Sequence, residues 1–369
     1  MGKMVKQKNG GFKIYILTAV LFACSMLSAC GVQGKYEHKQ YVYLDAFDTI
    51  SYVDVYLADA EKSSEYEEEI HEELLRYHRM FDAYNSYEGV NNVYTVNSQA
   101  GKAPVKVDEE LFELVKFSLD NMEKTKYRTN IVLGSVTRIW KNFMNTAAAK
   151  QQEAEKNGEE EPEITLPSQE ELEREVEHTD WKKVTLDEEK RTIFLEDPDM
   201  ILDVGAVAKG YTAEKLAGYI RRLGIESASI NMGGNIKFVG ERKAGDGRSY
   251  WVGSIQDPQT MQASNMAIRL EDGGTIVTSG NYERYVMVDG VRYCHLIDPD
   301  TLQPAQKMAS VSIVAEDSGL ADYLSTALFT VDVETGKEIL SHYDGVEACW
   351  VTAGYETYAT DGFEKLLVK

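Results

Sequence analysis

The sequence predicts an α+β fold in which mixed, largely antiparallel sheets pack against helices. Short apolar segments joined by turn residues predict strands in hairpins, and the Asp289-Gly290 turn between 285–288 and 291–297 is the clearest of them. Amphipathic helices are interspersed with these hairpins and do not alternate one by one with strands, which disfavours a doubly wound sheet. With 369 residues, of which 43% are hydrophobic, the chain can bury a sizeable core.

The first 30 residues have the features of a bacterial lipoprotein signal. A basic segment with four lysines is followed by an apolar run at 14–26 and by Leu27-Ser28-Ala29-Cys30. The apolar run is shorter than the roughly 20 residues that a membrane-spanning helix needs. We therefore expect cleavage before Cys30, lipidation of its thiol, and an extracytoplasmic protein anchored to the cell membrane. The predicted organisation is a signal at 1–29, a lipidated cysteine and tether at 30–43, a folded domain at 44–355 and a C-terminal tail at 356–369.

Charge and cysteine content argue against two broad classes of function. The formal net charge of −22 is unfavourable for nonspecific nucleic-acid binding, which depends on contacts between basic side chains and phosphates. No CxxC or Cys/His spacing indicates a zinc or redox-thiol site. After loss of the signal and modification of Cys30, only Cys294 and Cys349 remain, and they could form a disulfide or stay as two buried thiols.

The N-terminal half predicts one hairpin followed mainly by helices. Alternation of Tyr, Val and Ile at 41–57 predicts a hairpin around Phe47-Asp48-Thr49. Apolar residues at helical spacing predict helices at 65–81, 108–124 and 131–143, with an asparagine-rich loop at 83–97 and a break at Thr129-Asn130. The acidic segment 147–177 contains few apolar residues and predicts an exposed insertion that is partly helical or mobile. Two short strands are expected around Asp187-Glu188.

Residues 200–240 are the centre of the prediction, with strand, tight turn, helix, strand, glycine turn and strand in succession. The apolar run 201–204 predicts a buried strand that ends at Gly205, and helical spacing then continues to Gly224. Lys209 lies at the start of this helix, where a positive charge is unfavourable unless an anion is nearby.

Two interpretations of this turn remain open. Gly205 and Gly210 permit close backbone approach, so the helix start could cradle a phosphate, with Asp203 orienting a polar ligand or balancing Lys209. Alternatively, Asp203 and Lys209 pair with each other and the glycines only permit packing. The sequence is neither a P-loop nor a GxGxxG fingerprint. The Gly233-Gly234 turn, taken alone, predicts a plain hairpin.

The C-terminal part carries two further groups of candidate residues. Strands are predicted at 251–255, 267–270, 275–279, 311–315 and 348–352, and helices at 319–331 and 333–342. Asp322 and Thr326 are four residues apart on the first of these helices, so their oxygens share a face that suits a hard cation such as Mg²⁺. The alternative is that Asp322 only favours the helix dipole and Thr326 bonds a backbone carbonyl.

His295 is the best general-base candidate by residue type, although a lone histidine can also be structural. Ser279 begins a segment that offers a hydroxyl, an amide and a guanidinium close together. Because this segment lacks the GxSxG pattern, Ser279 is not interpreted as a hydrolase nucleophile.

Five ordered motifs, DVGAVAKGY, INMGGNI, TSGNYERY, HLIDP and ADYLSTA, resemble those of the bacterial FAD:protein FMN transferases, or ApbE-type flavin transferases, many of which are membrane-anchored lipoproteins. The resemblance extends from about residue 44 to residue 350 and is weakest before Trp181. It implies an ApbE-like fold with an FAD cleft between two intertwined subdomains. It also implies Mg²⁺-dependent cleavage of the FAD pyrophosphate, which attaches FMN through a phosphoester to Thr or Ser of a target flavoprotein and releases AMP.

The resemblance assigns roles motif by motif. His295, Asp322 and Lys209 would be catalytic, with His295 as the base for the acceptor hydroxyl. The residues expected to hold Mg²⁺ are Ala206, through its carbonyl, Asp322 and Thr326, with Ser325 beside them. The residues expected to contact FAD are Phe47, Asn130, Asp203, Lys209, Gly233, Gly234, Ser279, Gly280, His295 and Ile297.

The chain departs from the family pattern near its N-terminus. Phe47-Asp48-Thr49 stands where the family usually has Met-Gly-Thr, and Thr129-Asn130 before Gly134-Ser135 where it has Phe-Asp before Gly-Pro. Asn91 replaces the serine that usually precedes the asparagine aligned with Asn97. These changes concern adenine-side contacts, whereas the phosphate and metal motifs are intact. Two alternatives to flavin transfer are FAD hydrolysis to FMN and AMP, and a non-catalytic FAD-binding lipoprotein.

Overall fold

An eight-stranded sheet lies at the centre of the computed structural model, which describes residues 35–160 and 162–368. The strands of the described residues are β1 (Glu37–Ala46), β2 (Thr49–Leu57), β3 (Val105–Lys106), β4 (Val184–Asp187), β5 (Thr192–Leu195), β6 (Ala228–Met232), β7 (Asn235–Val239), β8 (Trp251–Gln256), β9 (Ala263–Leu270), β10 (Gly274–Gly280), β11 (Tyr285–Val288), β12 (Val291–Cys294), β13 (Met308–Ala315), β14 (Glu347–Thr352) and β15 (Thr357–Ala359). The large sheet has the order β1-β2-β6-β7-β10-β13-β14-β15, and each neighbouring pair in it is antiparallel. The predicted α+β class with largely antiparallel sheets is therefore confirmed.

Helices cover both this sheet and a smaller three-stranded sheet of order β3-β5-β4. The α-helices of the described residues are α1 (Ser63–Phe81), α2 (Val93–Ser98), α3 (Glu109–Asn121), α4 (Gly134–Asn157), α5 (Gln169–Val176), α6 (Ala208–Arg222), α7 (Ser318–Phe329), α8 (Val333–Leu340) and α9 (Asp361–Leu366). None of the helices in this part of the chain is both long and apolar enough to cross a membrane. The predicted signal and the lipidation site at Cys30 lie outside the described residues.

Two of the hydrophobic cores of the described residues share helix α1, and the chain passes from the first to the second and then back to the first. One core lies between the large sheet and helices α1 and α6, and the other joins α2, α3 and the three-stranded sheet. Helix α1 contributes to both, because Ile70 and Leu74 face the first core and Tyr77 faces the second. The chain thus leaves the large sheet after α1, builds the second region, and returns to the sheet through α6.

The predicted buried strand at 201–204 is absent from the structure. Its backbone hydrogen bonds go to other partners: the Asn97 side chain accepts from the Leu202 N–H at 2.8 Å and donates to the Leu202 carbonyl at 2.9 Å. Asp203 N–H donates to the Ile131 carbonyl at 2.7 Å. The apolar run correctly indicated burial. However, the Asn97 side chain and the Ile131 carbonyl supply the hydrogen bonds that a neighbouring strand would have made.

The predicted boundaries at both ends were wrong. Strand β1 begins at Glu37 and pairs with β2, so the tether predicted to extend to residue 43 ends before residue 37. The predicted C-terminal tail contributes β15, which pairs with β14, and α9, whose Phe363 is fully buried. A single buried aromatic residue in a short polar segment gives too weak a periodic signal to be recognised.

The acidic segment 147–177 was also only partly predicted. Helix α4 continues through it to Asn157, and Ala147 packs against the β11–β12 hairpin. The side chain of Gln151 donates to the Met287 carbonyl at 2.9 Å. The segment is helical as expected, but one face is anchored to the fold. Likewise, the loop predicted at 83–97 ends in α2, whose N-cap is the Asn92 side chain.

Cys294 and Cys349 are both buried and carry free thiols, so the predicted alternatives are decided in favour of two thiols. Burial raises the pKa of Cys294 to about 11 and that of Cys349 to about 12. Both thiols are therefore protonated and unreactive at neutral pH.

Candidate active site

The start of α6 and the start of α7 meet at one point of the molecule. Gly210 lies in the first turn of α6, and its backbone N–H donates to Asp322 Oδ2 at 2.8 Å. A Cβ atom at Gly210 would collide with the Ser318 carbonyl oxygen and with the Asp322 side chain. The glycine thus allows the two helices to approach closely enough for a carboxylate of one to accept from the backbone of the other.

The Asp322 carboxylate is 4% exposed and connects three elements. Asn235, the first residue of β7, donates through Nδ2 to Asp322 Oδ1 at 3.1 Å, and its Oδ1 accepts from Lys209 Nζ at 3.0 Å, in the amide orientation that satisfies both partners. Burial raises the pKa of Asp322 to about 6, while Lys209 and the Gly210 N–H favour the charged form. An additional cation would offset the remaining cost of burying this charge.

The glycine turn between β6 and β7 delivers Asn235 to this cluster. Met232 pairs with Asn235 across the two-residue turn, and both Gly233 and Gly234 have positive φ, at 56° and 89°. A Cβ atom at Gly233 would also collide with the Thr49 hydroxyl. The prediction of a hairpin turn is confirmed. Sequence reasoning missed Asn235, although an asparagine at the inward-facing start of a strand was a signal.

The end of β10 supplies hydroxyl groups to α7. Ser279 Oγ lies 2.8 Å from Ser325 Oγ, and Ser325 Oγ donates to the Asp322 carbonyl at 2.9 Å. Thr326 lies one turn after Asp322 and is half-buried; within the described residues its hydroxyl makes no hydrogen bond, so the predicted alternative of a bond to a backbone carbonyl is not observed. Gly280 ends β10 where a Cβ atom would strike the ring of the buried Tyr282.

Asp203 does not pair with Lys209, contrary to one of the two interpretations of the turn. Its Oδ2 accepts from Thr137 Oγ1 at 3.0 Å and its Oδ1 accepts from the Gly205 N–H at 2.9 Å. These bonds fix the turn that contains Ala206 and leads into α6. Lys209 Nζ instead donates to Asn235 Oδ1. In the first turn of α6 the Gly210 N–H binds Asp322, and the Lys209 N–H is the one without a hydrogen-bond partner among the described residues, so it can donate to an anion.

Asn130 and Ile297 have mainly structural contacts of their own. Asn130 Oδ1 accepts from the Val132 N–H at 2.9 Å, next to the Ile131 carbonyl that binds Asp203. The Ile297 side chain is buried in a cluster with Leu133 and Trp140 beneath α4. Any ligand contact by Ile297 would therefore involve its backbone.

The His295 ring is held as a neutral imidazole. Its Nδ1 lies 3.3 Å from the Arg284 carbonyl oxygen, which can only accept, so Nδ1 carries the proton and Nε2 keeps a lone pair. Burial, together with the positive charges of Arg284 and Lys209, lowers the pKa of His295 to about 3. The ring is half-buried, so Nε2 remains available to a group that enters the site.

Arg284 connects the His295 segment to the first hairpin. Its Nη2 donates to the Asp48 carbonyl at 2.9 Å and to the Phe47 carbonyl at 3.4 Å. Phe47 and Asp48 form the β1–β2 turn with positive φ, at 57° and 50°, although neither is glycine. Phe47 N–H in turn donates to His78 Nδ1 at 3.2 Å. The departure from the Met-Gly-Thr pattern is thus accommodated by a strained turn that Arg284 holds in place.

Tyr84 and Lys141 form an aromatic and cationic wall that sequence reasoning missed. Lys141 Nζ lies 3.4 Å from the centroid of the Tyr84 ring, and 52% of Tyr84 is exposed. Burial lowers the pKa of Lys141, and the carboxylates of Asp48 and Asp203 oppose that effect. Lys141 follows Thr137 by one turn of α4 and so lies on the same side as Asp203. A lysine beside the apolar stripe of the predicted helix was the available signal.

A second set of potential metal ligands lies outside this region. His178, Asp197 and Asp199 have ligand atoms within 4.8 Å of one another. Asp197 already pairs with Lys183 at 3.0 Å and with His178 at 2.9 Å. A lysine ammonium therefore already balances the Asp197 charge.

The cluster around Asp322 combines three kinds of group that phosphoryl chemistry uses. A helix start with a lysine attracts an anion, a buried carboxylate with neighbouring hydroxyls offers oxygen ligands, and a neutral histidine offers a lone pair. None of these groups is specific alone, but their convergence suits transfer of a phosphoryl group between oxygen atoms.

Comparisons with known proteins agree with this geometry. The model of the ApbE family matches residues 47–350. A protein of Treponema pallidum named FAD:protein FMN transferase is 33% identical over 279 residues, which cover 72% of this chain and 72% of that protein. One of Klebsiella pneumoniae with the same name is 28% identical over 76% of this chain and 83% of its own length. The crystal structure of the ApbE protein from Thermotoga maritima superposes with a TM-score of 0.75 at 26% identity, covering 90% of this chain and all of that one. The flavin transferase ApbE from Vibrio cholerae has a TM-score of 0.71 at 21% identity, which supports the fold.

Proposed function

The chain belongs to the ApbE family, and from this premise we propose that it is a Mg²⁺-dependent FAD:protein FMN transferase. It would cleave the FAD pyrophosphate, attach FMN through a phosphoester to Thr or Ser of a target flavoprotein, and release AMP. The observation that carries the proposal is the contact between Gly210 N–H and Asp322 Oδ2 at 2.8 Å, because it brings an anion-binding helix start and a buried carboxylate to the same place.

The oxygen donors around Asp322 fit a magnesium ion. Asp322 would be the carboxylate ligand, with the Thr326 hydroxyl and the Ala206 carbonyl as further ligands and Ser325 beside them. Magnesium prefers oxygen ligands and is often completed by water and substrate phosphate, so few protein ligands suffice. The raised pKa of Asp322, about 6, supports this assignment, because a bound cation favours the ionised carboxylate. When bound, the ion would supply positive charge to the diphosphate oxygens.

Other residues of the site would bind the diphosphate, hold the preceding turn in place and contact an aromatic ring of FAD. The Lys209 ammonium, together with the Lys209 backbone N–H at the start of α6, would bind the diphosphate and stabilise the charge that builds on it. Asp203 would keep the preceding turn in place through Thr137 and Gly205. The exposed face of Tyr84 offers an apolar surface to an aromatic ring of FAD.

His295 would accept the proton of the acceptor. Its Nε2 lone pair is directed to the site by the Nδ1–H bond to the Arg284 carbonyl. The acceptor oxygen forms a bond to the FMN phosphorus, its proton passes to Nε2, and the bond from that phosphorus to the bridging oxygen breaks, so that AMP leaves with that oxygen. Negative charge on a bound diphosphate would offset the influence of Lys209 and raise the low pKa of His295, which makes it a better base.

We further propose that the mature protein is a lipoprotein attached to the membrane through Cys30, at the extracytoplasmic surface. The support is the signal-like sequence before Cys30. This arrangement would bring the active site to flavoproteins of the same membrane.

The decisive experiment mixes the mature protein with FAD, Mg²⁺ and a soluble acceptor domain that carries a threonine. A fluorescent band that survives denaturing electrophoresis, together with stoichiometric AMP, is expected. AMP and FMN without that band would indicate hydrolysis, with water as the acceptor. FAD binding without any product would leave a non-catalytic flavin-binding protein and overturn the proposal.

A further inference from the structure

The loop at 126–130 lies between the histidine side and the carboxylate side of the proposed active site. Lys126 and Tyr127 both adopt positive φ, at 53° and 62°, although neither is glycine. Two consecutive residues in this conformation are costly for residues with a Cβ atom, and such strain persists only where surrounding contacts fix it. Backbone hydrogen bonds to the Glu123 and Met122 carbonyls close this turn, and the next two residues bind it to the rest of the site.

Arg128 forms a buried ion pair with the turn that follows His295. Its Nη1 donates to Asp298 Oδ1 at 3.2 Å, with 16% of the arginine side chain and 7% of the aspartate side chain exposed. Its Nη2 binds the exposed Asp300 of the same turn. Arg128 Nε is buried without a partner among the described residues, so the guanidinium is held by these two carboxylates although one donor is left unsatisfied.

Thr129 is attached to the helix that carries Asp322. Thr129 Oγ1 donates to the Tyr323 carbonyl at 2.8 Å, and the Tyr323 hydroxyl proton is shared between the Thr129 carbonyl at 3.0 Å and the Ser118 carbonyl at 3.1 Å. Both residues are buried, with exposures of 1% and 0%. This reciprocal pair fixes the loop relative to α7, since Tyr323 directly follows Asp322.

We propose that Arg128 is a positioning residue for the transfer reaction: through Asp298 it fixes the distance between the His295 segment and the Asp322 helix. The inference rests on the proposed function, because that function makes His295 the acceptor base and Asp322 the metal ligand in the two segments that Arg128 joins. The path is short. Asp298 is three residues from His295, Arg128 is next to Thr129, and Thr129 is bonded to the residue after Asp322. Loss of the ion pair would let the histidine segment move without removing any group that touches FAD.

Arg128→Gln tests this inference. Since displacement of a reacting group by about 1 Å can cost about 100-fold in rate, we expect kcat for transfer to fall about 10- to 100-fold, with the affinity for FAD much less affected. Arg128→Lys keeps the charge but not the planar fork, so it should restore part of the rate. Asp298→Asn should lower kcat similarly, and the double variant should be no slower than the slower single one, because both remove the same contact.

NMR titration of the histidine rings measures the pKa of His295 and does not depend on activity. If Arg128 only stabilised the fold, its loss would not change that pKa. The chain has 6 histidines, so the His295 ring can be assigned with a His295→Gln spectrum. In the wild type the His295 ring should stay neutral well below its ordinary pKa. In Arg128→Gln its pKa should rise, because a loosened segment admits water and moves away from the charge of Lys209.

Lys126→Gln is the matched control, since it lies in the same loop and removes an ion pair with Glu338 in which both partners are exposed. It should leave kcat and the His295 titration unchanged. Folded Arg128→Gln protein with wild-type kcat and wild-type His295 titration would overturn the inference. If the wild type itself transfers no FMN, the proposed function fails instead, and the NMR titration still decides whether Arg128 positions the ring.

Discussion

The buried carboxylate of Asp322 lowers the stability of the fold at neutral pH, although the proposed reaction requires it. Its carboxyl is buried, and burial raises its pKa to about 6. The folded state therefore holds the proton more tightly than the unfolded state between about pH 4 and pH 6. The stability that this group contributes is present in full below its ordinary pKa and is lost as the pH rises through 6. At neutral pH without Mg²⁺ the residue is a net cost.

Asp322→Asn should consequently stabilise the metal-free protein while abolishing transfer. The asparagine carbonyl can still accept from Gly210 N–H, and no charge is buried. At pH 8 with a chelator, the free energy of unfolding should rise by up to about 3 kcal/mol, and the gain should shrink towards pH 4. Calorimetry at both pH values measures this directly. A variant that is less stable than the wild type at pH 8 would show that Lys209 and Gly210 already compensate the charge in full.

His295 gives the second prediction at this scale. His295→Ala removes the Nε2 lone pair but none of the groups proposed to bind the diphosphate. Transfer should slow about 100- to 10,000-fold, while the dissociation constant for FAD, measured by flavin fluorescence, changes little. Equal losses in rate and affinity would instead assign His295 to FAD binding.

At the scale of elements, the junction of α6 and α7 depends on the absence of a side chain at Gly210. Gly210→Ala places a methyl group against the Ser318 carbonyl and the Asp322 side chain. The helices must separate, so the protein should lose about 1–3 kcal/mol of stability and the Gly210–Asp322 hydrogen bond should lengthen or break. We expect a lower melting temperature and a large loss of transfer activity.

The same helix offers a matched control. At Gly218 an added Cβ atom would lie no closer than 3.8 Å to Arg222 Nη1, an ordinary contact. Gly218→Ala should therefore raise stability by about 0.5–1 kcal/mol, the usual gain of alanine over glycine inside a helix. If both variants behaved alike, the close approach of α6 and α7 would not be the reason for the glycine at 210.

The elements also show what the sequence could predict. Amphipathic helices such as α1 and α3, and hairpins with clear turns such as β11–β12, depend on local patterns and were predicted within a few residues. The strand predicted at 201–204 is absent because Asn97 and Ile131, distant in sequence, supply the hydrogen-bond partners of this run. Helix α9 was not predicted because it is short, has Phe363 as its one fully buried residue, and has its start set by the Thr360 cap. The spacing of apolar residues indicates which positions are buried, but it does not indicate which distant segment supplies their hydrogen-bond or packing partners.

For the whole molecule, the candidate site was predictable to the extent that its residues occur in ordered motifs. Asp322, Ser279 and Gly210 were recognised in this way, and the structure brings them together. Asn235, Lys141 and Arg128 were missed, because their roles depend on contacts between segments that only the fold brings together.

The position of the whole domain relative to the membrane gives the last prediction. Strand β1 begins at Glu37, so residues 31–36 are the only spacer after the proposed lipidated Cys30. Six extended residues span about 20 Å, which would keep the domain close to the membrane surface despite the formal net charge of −26 that remains when the four lysines of the signal are removed from −22. Because no residue before Glu37 takes part in the large sheet among the described residues, a chain that starts at Gly31 should fold and act on a soluble acceptor with an unchanged kcat.

The lipidated and truncated proteins should differ only when the acceptor is itself embedded in vesicles. Confinement to the same surface raises the effective concentration of the two partners, so the lipidated form should flavinylate the embedded acceptor faster at equal protein concentration. Mass spectrometry of the mature N-terminus should find a lipid-modified Cys30, and that modification should be absent from Cys30→Ser. An unmodified N-terminus, or equal rates on embedded acceptor, would contradict a membrane-anchored transferase whose reach is set by this short spacer.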